Sequence, residues 1–144
     1  MAVETVPDGF VVIPILATTQ GEELYAFLRE VFEATLLDRH DNPDGSPAYM
    51  TVRIGDSVIS FMRPLSEDQP TRSAFYVYVR EVDAVYRRAI EAGARSLQEP
   101  TPAVHGDRMA TFIDSFNNHW TIASRIEQLS VVELHRRLAE RGGE

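Results

Sequence analysis

Apolar and polar positions follow two rhythms along this chain, and the two come in the same order twice. Phe10 to Leu16 (FVVIPIL) is apolar and β-branched, which reads as a strand. Leu24, Phe27, Leu28, Val31 and Phe32 then stand at i, i+3, i+4, i+7 and i+8, the single stripe of an amphipathic helix. Thr19-Gln20-Gly21-Glu22 has the spacing of a capping box at its start. Asn42-Pro43-Asp44-Gly45 supplies turn chemistry. Tyr49 to Ile54 and Ser57 to Arg63 read as the two arms of a hairpin around Gly55-Asp56.

The order then recurs. Ala74 to Val79 alternates as a strand, and Val82, Val85, Tyr86, Ala89 and Ile90 repeat the helix stripe, with Gly93 placed as a C-cap glycine. A loop carrying Pro100 and Pro102 leads to a strand at Met109–Asp114, a turn at Ser115–Asn118 and a closing strand from His119 to Arg125. The helix stripes are offset by 58 residues and the closing strands by about 61, so the chain reads as two copies of strand, helix and three strands. The first module is expected at about residues 8–64, a polar linker bracketed by Pro64 and Pro70 at 65–72, and the second module at about 73–127. A last helix at about 130–141 opens on a second capping-box spacing, Ser130 to Glu133, and carries Val131, Leu134 and Leu138 as a narrow apolar edge.

Composition narrows the function. At 144 residues and 44% hydrophobic content the chain can bury the core of one domain. No apolar run approaches the roughly 20 residues that span a bilayer, so no membrane partner is expected. Met1 to Phe10 lacks the basic start and apolar stretch of a signal peptide, which makes the cytoplasm the expected compartment. With no cysteine, disulfides, thiolate nucleophiles and Cys-ligated metals are excluded. A formal net charge of −8 argues against nucleic acid, because the basic pairs Arg87-Arg88 and Arg136-Arg137 sit among acidic residues on helices.

Three stretches, Val79 to Ala94 (VREVDAVYRRAIEAGA), Gly106 to Thr121 (GDRMATFIDSFNNHWT) and Ile122 to Ser130 (IASRIEQLS), together resemble the PhnB-like branch of the glyoxalase/bleomycin-resistance/dioxygenase (vicinal-oxygen-chelate) superfamily. Phe27 to Phe32 (FLREVF) and Arg53 to Ser57 (RIGDS) agree. The resemblance covers roughly Val11 to Leu138 and implies an α+β fold: two tandem βαβββ modules forming a curved mixed sheet around a cavity, plus a C-terminal helix, in one domain over residues 1–144. Two departures from the family pattern leave that fold intact. The family's Asp-Pro-Phe-Gly-Asn turn is here Asp114 to Asn118, with Asn117 able to take the left-handed conformation, and a glycine common after the first helix is here Glu33.

The resemblance also carries a ligand set. Metalloenzymes of the superfamily grip a divalent ion with four side chains on equivalent strands, and the matching positions here are Ile13 or Pro14, Ser60, Ala74 and Thr121. None is His, Asp or Glu, so no metal and no other cofactor is expected. Where relatives place His and Glu on the third strand this chain has Tyr49 and Thr51, and a further family His is Arg125. His40, near Asp41 and Asp44, and His105, before Gly106-Asp107, fall in expected loops, and His135 on the tail helix.

Strand alternation extends these positions to a ligand-binding lining, since residues two apart share a face. The first module contributes Tyr49, Thr51, Arg53, Ser60 and Met62. The second contributes Tyr76, Tyr78, His119 and Thr121. Aromatic walls with a few orienting polar groups describe a small-molecule site. The expected function is therefore metal-independent binding of an aromatic or apolar small molecule, sequestering it in the manner of bleomycin-resistance proteins, with a homodimer as the expected assembly. The alternative is a metal-independent isomerase, cyclase or lyase using His119 and Tyr76 as catalytic groups. A third reading is a divalent-metal lyase or dioxygenase with displaced ligands.

Overall fold

A computed structural model of the chain describes residues 12–64 and 71–142. Phe10 and Val11 of the expected first strand, and residues 65–70 of the expected linker, lie outside the described residues. The chain divides into two units, residues 1–72 and 73–144.

The first unit runs β1 (Ile15–Ala17), α1 (Gly21–Phe32), β2 (Thr35–Asp41), β3 (Pro47–Ile54) and β4 (Ser57–Met62). Its four strands lie in the order β1-β4-β3-β2, with β1 parallel to β4 and the others antiparallel. The second unit repeats this with β5 (Ala74–Tyr78), α2 (Val82–Glu91), β6 (Arg95–Pro102), β7 (Asp107–Ile113) and β8 (His119–Arg125), in the order β5-β8-β7-β6. A tail helix, α3 (Val131–Gly142), follows. The α+β architecture of two tandem βαβββ modules and a C-terminal helix is thus what the chain adopts.

The helix stripes bury as their spacing requires. Leu24, Phe27, Leu28, Val31 and Phe32 of α1 are all buried, and so are Met50, Val52 and Phe61 on one face of the sheet. In the second unit Val82, Val85 and Ala89 are buried, as are Ala110, Phe112, Trp120 and Ile122, while Phe75 stacks on Trp120 at 4.5 Å. Tyr86 is only half-buried and donates its hydroxyl to Ser96 Oγ at 2.7 Å, and Ile90 is exposed, so the second stripe is narrower than its sequence spacing suggests.

Turn chemistry fixes the connections. Glu33 closes α1 in the left-handed region at φ 57°, and Asn117 holds the β7–β8 turn at φ 73°. Asp114 organises that turn. Its carboxylate, buried, accepts the backbone N–H groups of Phe116 (2.8 Å) and Asn118 (3.0 Å), the Asn118 side-chain amide (2.9 Å) and the Trp120 indole N–H (2.8 Å). The second capping box also forms on its serine side, with Ser130 Oγ accepting the Glu133 N–H at 3.1 Å.

Four local expectations are corrected. The box at Thr19–Glu22 does not form: Gln20 is the cap residue without a side-chain bond, Thr18 Oγ1 takes the Gln20 N–H at 3.0 Å, and Glu22 pairs with Arg39 instead. The first strand begins only at Ile15, because Pro14 has no N–H to give and contributes to the edge only its carbonyl, which accepts the Ser60 N–H at 2.9 Å. Pro100 and Pro102 lie within β6 rather than in a loop, and prolines are tolerated there because β6 is an edge strand with two register shifts. His40 likewise sits in an edge strand, β2, not in a loop.

Candidate functional site

Cross-strand register sorts each sheet into a helix-covered face and an open one. In the second unit Ala74 pairs with His119, Tyr76 with Thr121 and Tyr78 with Ala123, while β7 sets Asp107 opposite Arg125 and Thr111 opposite Thr121. All of these share the face turned away from the buried residues Trp120 and Ile122. In the first unit Tyr49 pairs with Met62, Thr51 with Ser60 and Arg53 with Val58, again on one face. The nine expected lining residues therefore fall on the two open faces, five on one sheet and four on the other.

On the second sheet the open face carries a polar cluster around a fully buried carboxylate. Asp107 Oδ2 accepts the hydroxyls of Tyr76 at 2.5 Å and Tyr78 at 3.1 Å, and Asp107 Oδ1 accepts the Nε–H of Arg125. Arg125 Nη2 also donates to the Tyr78 hydroxyl at 2.9 Å, and its guanidinium lies 5.8 Å from the centre of that ring. His105 Nε2 stands 3.0 Å from the Tyr76 hydroxyl and 3.3 Å from Asp107 Oδ2. Burial pushes the Asp107 carboxyl up, but hydrogen bonds from Tyr76, Arg125 and Tyr78 outweigh it and leave the group below its ordinary value. Burial, together with the hydrogen bond to Asp107, raises Tyr76 well above an ordinary phenol.

Each tyrosine hydroxyl has one proton to give, and both give it to Asp107. What the pair offers outward is ring surface: Tyr76 is 46% and Tyr78 58% exposed, with ring centres 5.4 Å apart. His119 stands at the start of β8 beside Ala74, exposed, and its ring makes no hydrogen bond to Tyr76 among the described residues.

The first sheet has a smaller counterpart. Tyr49 donates its hydroxyl to Asp38 and stacks on His40, with ring centres 4.9 Å apart. The Asp38 hydrogen bond raises the Tyr49 phenol, and the same bond lowers the Asp38 carboxyl. A small cleft, open to solvent, lies within this unit. Tyr49 and Met62 line it together with Thr18, Thr19, Pro47 and Arg63, while Thr51, Arg53 and Ser60 do not.

Asp107, His105 and Asp38 were not among the expected lining residues, and Arg125 entered only as a substitute for a family histidine. A signal for one pair existed in the sequence. A hairpin whose loop is Asp114–Asn118 pairs residues at mirrored distances from that loop, which sets Asp107, seven residues before it, against Arg125, seven residues after it. The loop position of His105 gave no such signal.

The comparisons with known proteins agree with this architecture. The family model described as "Glyoxalase/Bleomycin resistance protein/Dioxygenase superfamily" matches residues 10–122. The chain belongs to that superfamily. Mb0911c, an uncharacterized protein from Mycobacterium bovis, is 24% identical, the match covering 90% of this chain and 92% of that protein. Among solved structures, TioX from Micromonospora sp. ML1 superposes with a TM-score of 0.69 at 23% identity, covering 81% of this chain and 99% of TioX. FosX from Listeria monocytogenes, a genomically encoded fosfomycin resistance protein solved with Mn(II) and sulfate ion, gives 0.64 at 19% identity, covering 90% and 97%. At these identities the likeness to TioX and FosX is one of fold.

The strand register also bears on the metal-ligand positions. Ile15 opposes Ser60 as Tyr76 opposes Thr121, both offset by 61 residues, so the counterpart of Ala74 is Ile13 rather than Pro14. At the centre of each sheet stands a hydroxyl pair, Thr51 with Ser60 at 2.8 Å and Thr111 with Thr121 at 3.5 Å. Isoleucine, alanine and neutral hydroxyls do not supply the carboxylate or imidazole donors that a divalent ion requires, so these four positions do not fit the metal of the family's enzymes. Among the described residues no group of three or more His, Asp and Glu side chains is placed to hold an ion. No described helix is long and apolar enough to cross a membrane.

Proposed function

We propose that this protein binds an aromatic or apolar small molecule on the open sheet faces, without a divalent metal at the four superfamily positions, and sequesters it. The observation that carries the reading is the exposed pair Tyr76 and Tyr78. Two large rings stand half in solvent while their hydroxyls are anchored on a buried carboxylate, so ring surface is held out in a fixed orientation. Fixed aromatic surface binds planar apolar ligands at low entropic cost. On the first sheet Tyr49, Thr51, Arg53, Ser60 and Met62 lie on the open face, and on the second Thr121 and His119 accompany the two tyrosines. FosX, a resistance protein of the same fold, makes a resistance-type role reasonable for this chain. A homodimer belongs to the same proposal, supported by Val131, Val132 and Leu138, which α3 leaves exposed. The enzymatic alternative through His119 and Tyr76 draws no support from their geometry, since the two rings are not hydrogen-bonded.

Calorimetric titration of chelator-treated protein against a panel of fused-ring aromatic compounds tests the proposal. Saturable binding is expected, weakened about fivefold to tenfold in Tyr78→Ala, the scale of one lost aromatic contact. Binding that appears only when a divalent ion is restored would overturn it, and chemical turnover of a bound compound would favour the enzyme. Sedimentation at increasing concentration tests the dimer.

A further inference from the structure

The open face of β5, β8 and β7 carries one feature that ring surface alone does not use. Arg125, the last residue of β8, is held along one side of its guanidinium: Nε–H is given to Asp107, and Nη2 to the Tyr78 hydroxyl. The opposite edge, formed by Nη1 and the second N–H of Nη2, has no hydrogen-bond partner among the described residues, and the side chain is 44% exposed. A guanidinium fixed on one side presents its other edge as a rigid, planar pair of donors, the shape that meets two oxygens of one carboxylate. Hydrogen bonding to Asp107 also keeps the group charged, its affinity for the proton raised above that of ordinary arginine.

We infer that Arg125 anchors the carboxylate of an aromatic monoacid whose ring lies against Tyr76 and Tyr78; this rests on the small-molecule reading above and names the class of ligand. Charge selects the class. On this face of β5, β8 and β7, Arg125 is the one fixed positive charge and Asp107 the one negative, so the empty edge meets a single negative charge better than a phosphate dianion. Hydrogen-bond capacity selects it as well. Both tyrosine protons are already spent on Asp107, so a ligand's polar end has the arginine edge to find and the rings take its apolar part. Tyr78 links the two halves: its hydroxyl accepts from Arg125 while its ring is among the most exposed of the large apolar surfaces on this face.

The test compares naphthoate with neutral naphthamide of the same ring system, titrated into the full chain and into Arg125→Gln and Arg125→Lys. Wild type is expected to bind the acid about tenfold more tightly than the amide, the worth of one charge-assisted fork. Arg125→Gln should erase that preference and still bind the amide. Arg125→Lys, which keeps the charge and loses the planar edge, should retain only part of it. If Arg125→Gln does not melt cooperatively, the Lys variant decides. An acid-to-amide ratio near one in wild type, or one unchanged in both variants, would overturn the anchor and leave aromatic binding standing. Failure of both probes to bind wild type would overturn both readings together.

Discussion

The Trp120 indole N–H donates to Asp114 Oδ2 at 2.8 Å, joining the largest fully buried side chain of the second unit to the carboxylate that shapes the β7–β8 turn. The bond couples core to turn. Trp120→Phe should destabilise the chain by about 1–3 kcal/mol, from the lost bond and the space left behind. Asp114→Ala should cost more, since it strands four donors at once. A double-mutant cycle read by urea unfolding should give less than the sum of the two, because the bond is counted in both single variants.

Two left-handed positions predict opposite outcomes. Glu33, exposed at φ 57°, carries a side chain where glycine is favoured, so Glu33→Gly should stabilise the chain by up to about 1 kcal/mol. Gly106 has φ 99°, and a Cβ there would come within 2.6 Å of the Glu127 carbonyl oxygen. Gly106→Ala should therefore lower the melting temperature and displace the loop that positions His105. Differential scanning calorimetry of both variants checks the pair of signs.

Alkaline titration should bring out two of the tyrosines. Tyr49 and Tyr76 are both raised, the first chiefly by its bond to Asp38 and the second by burial and Asp107. Phenolate absorbance should show two late-ionising groups, with Tyr76→Phe removing one and Asp107→Asn bringing one earlier. The linkage sign follows. A phenol whose folded value lies above the unfolded one of about 10 stabilises the fold below that pH, and the contribution is lost as pH climbs through the folded value. Unfolding midpoints measured above about pH 10 should fall less steeply in Tyr76→Phe than in wild type.

Acid acts on the tail helix. Hydrogen bonds from Arg136 and then Arg137 lower the Glu133 carboxyl to about 2, from 4.5. A depressed carboxylate stabilises the fold above its unfolded value, and the contribution is lost as pH falls from about 4.5 toward 2. Helical circular dichroism should decline across that window, and less so in Glu133→Gln, which starts without the charge. High salt should mimic part of the loss, because these pairs are solvent-exposed.

How much of this was legible in the sequence depends on whether the signal was local. The helix at Gly21–Phe32 and the alternation of Phe75 and Val77 against Tyr76 and Tyr78 could be read directly, because burial on one side writes its period into the chain. The β6 strand could not, because Pro100 and Pro102 carry a loop signature and only the edge position makes them compatible with pairing. The capping box at Thr19 failed for a related reason: the spacing was present, but Glu22 found Arg39, seventeen residues away, a better partner. The site divided in the same way. Tyr76 and Tyr78 followed from alternation within one strand, whereas the Asp107–Arg125 pair and the approach of His105 depend on register between strands.

The two prolines of β6 have an effect beyond their own strand. An exposed sheet edge is a template on which another chain can add strands, and in edge-to-edge contact such growth leads to aggregates. Pro100 and Pro102 withhold two donors from that edge, and the two register shifts bend what is left of it. The β6 side of this four-stranded sheet is therefore a poor template for a fifth strand, which keeps the exposed aromatic rings of its open face off a growing edge.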